Sequence, residues 1–160
     1  MEYKFALATQ ADIPQIMEVY QSLIGTPGCT WNEHYPDIEI AEADIKANGL
    51  YLLKDNDRII AVASAGKLDD YDVNSWDIEN PCEFARLGVR PDYQGRGIGK
   101  MCMNYVFKIA REQGFDGVVL LVAKNNPTAI ALYEKGGFKR CGEVFMYGND
   151  YYRYQMKVTK

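Results

Sequence analysis

The sequence predicts a mixed α/β domain with helices packed on one sheet, and three observations carry that reading. Its 160 residues amount to about one domain of ordinary size, and 48% hydrophobic with 25% charged residues is enough to fill a core without staples. Apolar residues recur with helical spacing in some stretches and in short unbroken runs in others, and the two patterns interleave. One run, Val118-Val119-Leu120-Leu121-Val122, is apolar throughout, as in a strand buried on both faces. No repeat or linker interrupts residues 1–160, so a single domain is expected.

Each element has its own local reason. Residues 5–8 form a short apolar strand, after which Thr9 or Asp12 caps a helix whose inner face holds Ile13, Ile16, Val19, Tyr20 and Leu23. Gly25, Pro27, Gly28 and then Tyr35-Pro36 mark an irregular loop. A weaker helix follows through Ile38, Ala41 and Ile45 and stops at Asn48-Gly49. Residues 50–53 and 58–65 flank the polar stretch Lys54-Asp55-Asn56-Asp57, a hairpin pattern. A strand is expected over 82–89, a helix from Ile98 that stops at Gly114, and the buried strand over 118–122. Asn126 is placed to cap a short helix from Pro127 to Lys135, with proline suited to its first turn. Strands over 138–145 and 152–158 close the order β-α-α-β-β-β-α-β-α-β-β, an α+β mixed sheet.

Charge and cysteine usage narrow the function classes. With 18 basic and 22 acidic residues the net charge is −4, the wrong sign for a protein that binds nucleic acid through its phosphates. No apolar run approaches the roughly 20 residues of a membrane span. Met1-Glu2-Tyr3-Lys4-Phe5 shows no secretory signal either, so a cytoplasmic location is expected. Cys29, Cys82, Cys102 and Cys141 are scattered and His34 is the sole histidine. That set offers neither metal-ligand spacing nor a Ser-His or Cys-His nucleophile, so no metal is expected.

The informative stretch is Leu87-Gly88-Val89-Arg90-Pro91-Asp92-Tyr93-Gln94-Gly95-Arg96-Gly97-Ile98-Gly99-Lys100, read as strand, glycine loop and helix start. Backbone N–H groups at such a helix start attract an anion. The spacing fails both the Walker loop, which needs glycine where Gln94 stands, and the dinucleotide fingerprint, because Gly95, Gly97 and Gly99 alternate. Gln94-Gly95-Arg96-Gly97-Ile98-Gly99 instead resembles the Q/R-x-x-G-x-G/A signature of the GNAT-type N-acetyltransferases. A second block, Asn126-Pro127-Thr128-Ala129-Ile130-Ala131-Leu132-Tyr133-Glu134-Lys135-Gly136-Gly137-Phe138, is similar to that family's N-x-x-A-x-x-LYEK-x-GF segment.

The resemblance implies a GNAT-like fold with acetyl-CoA held at splayed central strands. Main-chain groups of Leu87, Gly88 and Val89 would then pair with pantetheine, backbone amides from Gln94 through Gly95, Arg96, Gly97, Ile98 and Gly99 to Lys100 would cradle the pyrophosphate, and Asn126 would contact the cofactor arm. Arg96 and Lys100 would add charge. It also implies Tyr133 as the acid that protonates the leaving thiolate and, less directly, Glu83 as a base for the amine. Period-two alternation puts Glu83 and Val89 on one face unless a bulge intervenes, and a salt bridge to Arg86 is the other role open to Glu83. A water relay is the other candidate for the base.

Acceptor choice is expected from the variable segments 25–36 and 69–80. Trp31 and Tyr35 in the first, and Asp70 and Tyr71 among further acids in the second, suit a cationic amine by charge and cation–π contact. A small-molecule or peptide amine is therefore the expected partner. A non-catalytic acyl-CoA-binding regulatory module is the competing class. Tyr147, Tyr151, Tyr152 and Tyr154 on C-terminal edge strands suit pairing in a homodimer as well as plain sheet packing.

Overall fold

A computed structural model describes residues 3–68 and 76–158. The elements are β1 (Tyr3–Leu7), α1 (Ile13–Leu23), α2 (Ile38–Lys46), β2 (Leu50–Asp55), β3 (Arg58–Lys67), β4 (Pro81–Val89), α3 (Ile98–Glu112), β5 (Gly117–Ala123), α4 (Pro127–Lys135), β6 (Lys139–Met146) and β7 (Asn149–Lys157), in the predicted order. They build one seven-stranded sheet, β1-β2-β3-β4-β5-β7-β6. All neighbours are antiparallel except β4 and β5.

Local chemistry starts the helices where the sequence places them. The Asp12 carboxylate accepts from the Thr9 N–H at 2.9 Å, so both expected residues work together at the entry to α1. Asp37 accepts from the Ile40 N–H at 2.9 Å, and Asn126 from the Ala129 N–H at 3.2 Å. Ile16, Val19, Tyr20 and Leu23 of α1 are buried against Leu50, Leu52, Ile59 and Val62 on one face of the sheet. On the other face, Met103, Val106 and Phe107 of α3 and Tyr133 of α4 pack on Cys82, Phe84, Val118 and Leu120. The apolar run of β5 is buried on both faces, because Val119 points away from α3 and joins Leu68 and Ile78.

Two features of β4 position the site. Its pairing with β5 covers only Pro81 to Glu83, opposite Gly117 to Val119, so the strands part from Phe84 onward. The expected splay of the central strands is therefore present. On its other edge β4 carries a bulge: Ala85 stands opposite Ser64 and Gly88 opposite Val62, three steps against two. Arg86, inside the bulge, has φ 50°. The extra residue changes the parity. Glu83, Ala85 and Gly88 share the α1/α2 face through Gly66, Ser64 and Val62, while Val89 turns to the α3 face. The bulge, the exception left open in the sequence reading, is present, so Glu83 and Val89 do not share one face.

The C-terminal edge also differs from expectation. β7 lies between β5 and β6, so Tyr151, Tyr152 and Tyr154 sit on an interior strand and β6 is the edge. Tyr154 is buried, and its hydroxyl donates to Glu134 at 2.6 Å. Tyr147 stands in the turn, 85% exposed.

Candidate active site

The site begins with the end of β4. Arg90 N–H donates to Ile60 O at 2.9 Å, and the alternation of an antiparallel ladder then turns the main-chain groups of Val89 away from β3, into the gap beside β5. The Gln94 side chain donates to Val89 O at 3.1 Å and closes the turn that follows. Leu87 is half-buried against α3, whereas Gly88 faces α1, where a Cβ would lie 2.9 Å from Leu23 Cδ1 and 3.2 Å from the Trp31 ring. Glycine at 88 is what lets Trp31 approach the strand.

The glycine loop presents bare main chain. Gly95 and Gly97 have φ of 77° and 79°, a Cβ at either would meet nothing within 4 Å, and Gly97 starts α3 with no side-chain cap. The first N–H groups of a fifteen-residue helix therefore face outward unanswered by any cap. Gln94, Arg96 and Lys100 are exposed around them. The Arg96 guanidinium lies 4.8 Å over the Tyr93 ring, and Tyr93 is anchored by its hydroxyl on Asp55 at 2.6 Å. Ile98 is buried, and Gly99 makes room for Leu132 of α4, 3.3 Å from where a Cβ would stand. Asn126 caps α4, and Gly28 packs on its side chain.

Tyr133 and Glu83 flank the point where β4 and β5 part. The Tyr133 ring meets Phe84 edge-on with centroids 5.9 Å apart, and Phe138 at 5.7 Å, on the α3/α4 face. Burial, with Cys102 nearby, pushes its phenol well above the ordinary tyrosine range, so it holds its proton at neutral pH. Glu83 stands on the opposite face and lines a pocket with Trp76, Val144, Met146 and Arg153.

Among the described residues the ion pair that Arg86 forms is with Asp44 and not with Glu83. The Arg86 guanidinium grips Asp44 of α2, with Nη2 2.9 Å from both carboxylate oxygens and Nε at 3.1 Å, and reaches the Tyr35 hydroxyl at 3.3 Å. Ser64 donates to the same carboxylate at 2.7 Å. Burial works against the Arg86 charge, but Asp44 and Tyr35 more than offset it and leave the guanidinium above its ordinary pKa. Sequence reasoning missed this cluster because Asp44 and Arg86 lie 42 positions apart; the nearby Tyr20 hydroxyl is buried and has no hydrogen-bond partner among the described residues. Trp31 packs edge-on against Tyr20 at 5.4 Å, so Trp31 and Tyr35 do converge beside β4. Glu33 pairs with His34 in solvent. Asp70 and Tyr71 lie outside the described residues. Among the described residues no group of three or more His, Cys, Asp or Glu is placed to hold a metal, and no helix is long and apolar enough to cross a membrane.

A parted strand pair beside an open helix N-terminus can hold a long anionic ligand, its chain against main-chain groups and its phosphates on amides. The sequence profile of the acetyltransferase (GNAT) family matches residues 16–138. The chain belongs to the GNAT family.

Its relatives agree. L-methionine sulfoximine/L-methionine sulfone acetyltransferases of Pseudomonas aeruginosa and Pseudomonas paraeruginosa are 27% identical over 90% of this chain and 84% of their own. The yncA protein of Salmonella typhimurium, solved with its cofactor acetyl-CoA, superposes with a TM-score of 0.80 over 100% of this chain and 96% of its own at 20% identity. The ribosomal-protein-S18-alanine N-acetyltransferase of Escherichia coli gives 0.77 over 99% and 96%, also at 20% identity. The GNAT fold and an acetyl-CoA-dependent N-acetyltransferase activity class are therefore assigned to this chain.

Proposed function

We propose that the protein transfers the acetyl group of acetyl-CoA to a primary amine by direct attack, with Tyr133 as general acid and Glu83 as general base. The observation that carries this reading is the placement of the two side chains on opposite faces of the opening between β4 and β5. In direct transfer the amine nitrogen approaches one side of the thioester carbonyl, and the sulfur departs from another. The C–N bond forms as the C–S bond breaks, the amine loses a proton and the thiolate gains one. A base on the acceptor side and an acid on the cofactor side are what that proton balance asks for.

An alkyl ammonium is only about 0.04% neutral at pH 7, so a carboxylate at the acceptor side raises the reactive fraction. Tyr133, kept protonated by burial, suits donation to a thiolate and not abstraction from an ammonium. The Val89 N–H faces the gap and suits the developing oxyanion. The residues present fit acetyl-CoA: the open edge of Leu87 and Val89 for pantetheine, amides from Gln94 to Lys100 for pyrophosphate, Arg96 and Lys100 as charge partners, and Asn126 at the opposite lip.

Calorimetry with acetyl-CoA, followed by thiol release with and without a panel of primary amines, tests the proposal. Tight binding with amine-dependent release is expected. Binding without release across the panel would overturn it in favour of an acyl-CoA-binding module.

A further inference from the structure

The pocket on the acceptor side contains more than a base. Register places Glu83 opposite Val119, Val119 opposite Gln155 and Leu121 opposite Arg153, so Arg153 stands on the face of Glu83, two residues before Gln155 on β7. Both line the pocket, with Trp76 and the apolar side chains Leu121, Val144 and Met146. Arg58, Arg86, Arg90 and Arg140 each hold a carboxylate. Among the described residues Arg153 forms no ion pair. Gly142, its neighbour across the β6 ladder, leaves the guanidinium room, since a Cβ there would lie 3.3 Å from Nη1.

A second orphan lies beside it. Trp76 Nε1 is buried and has no hydrogen-bond partner among the described residues, a costly condition for a donor. An acceptor offering only an amine would give neither donor an oxygen. An acceptor that also carries a carboxylate answers Arg153 by a charge-assisted contact and gives Trp76 an oxygen.

We propose that the acceptor is a zwitterion of the α-amino-acid type with an apolar side chain, its amine at Glu83, its carboxylate at Arg153 and Trp76, and its side chain against Leu121, Val144 and Met146. This rests on the transferase reading above and names its substrate class. The ammonium group still meets the carboxylate, so the preference for a cationic amine is kept and a counter-charge is added to it. Arg153 is the specificity residue.

The test compares L-methionine and L-leucine with their own amides in thiol release by the full chain. Wild type is expected to favour the free acids in kcat/KM by roughly tenfold to a hundredfold. Arg153→Gln should raise KM for the acids and erase that preference, Arg153→Lys should restore part of it, and calorimetric affinity for acetyl-CoA should stay at the wild-type value. Equal or better use of the amides by wild type, an equal loss for acid and amide in Arg153→Gln, or acetylation of other amines but of neither free acid would each overturn the substrate class alone. Absence of acetyl-CoA binding in wild type would overturn the transferase reading and this one with it. The wild-type comparison stands even if the variant fails to fold.

Discussion

Tyr133 and Glu83 differ in what their surroundings permit. Tyr133 is enclosed by Phe84 and Phe138 with its pKa raised, so removing only its hydroxyl leaves the packing in place. Tyr133→Phe is expected to lower kcat by about a hundredfold with little change in KM for acetyl-CoA; steady-state kinetics with unchanged kcat would remove Tyr133 from the proton path. Glu83 lies on the opposite face of the sheet, in the pocket it shares with Trp76 and Arg153. For Glu83→Gln the deficit relative to wild type is expected to be largest at low pH and to shrink as pH rises towards the pKa of the amine, where the nucleophile deprotonates unaided. A variant-to-wild-type ratio that stays flat with pH would favour a water relay. In the sequence both were candidates through the family resemblance, Tyr133 by the LYEK-like block and Glu83 by a glutamate at that spacing from Val89. The face of Glu83 was not legible there, because one bulge residue reverses it.

At the scale of elements, the β4 bulge lies beside the point where β4 and β5 part. A non-glycine residue in the left-handed region is held at a cost of order 1 kcal/mol or more, and at Arg86 the grip on Asp44 of α2 opposes that cost. The ion pair is half-buried, 19% exposed on either side, so removing one partner strands the other. Asp44→Asn is expected to destabilise the fold by about 3 kcal/mol in urea titration and to raise the acceptor KM through Tyr35, which Arg86 also holds. Loss of stability without any KM change would confine the pair to a structural role. Gly88 carries a second expectation. A methyl at Gly88→Ala would press on Leu23 and Trp31, costing about 1–3 kcal/mol by overpacking, and Trp31 fluorescence should report its displacement. The ring above Gly88 is a reason for glycine there that only the tertiary structure shows.

The whole molecule responds to pH through groups it buries in neutral form. Burial pushes the thiols of Cys82 and Cys102 up to about 12, against an ordinary value of 9.0. The folded chain therefore keeps protons that the unfolded chain releases, so stability is full below about pH 9 and falls as pH rises from there towards 12. Near pH 10.5 each thiol accounts for a loss of about 2 kcal/mol, and Tyr20 and Tyr133, raised mainly by burial, act in the same direction. Urea unfolding at neutral and alkaline pH checks the sign; a chain more stable in alkali would contradict it.

Element order, caps and the bare glycine loop before α3 follow from the sequence alone. Each depends on residues a few positions apart, whose periodicity, capping chemistry or backbone freedom acts locally. The Arg86–Asp44 grip, the turning of Glu83 away from Val89, the interior place of β7 and the meeting of Arg153 with Trp76 were decided only by the tertiary structure. They depend on register and on contacts between residues 42 to 77 positions apart in sequence, and a single inserted residue in one strand changes which side chains meet.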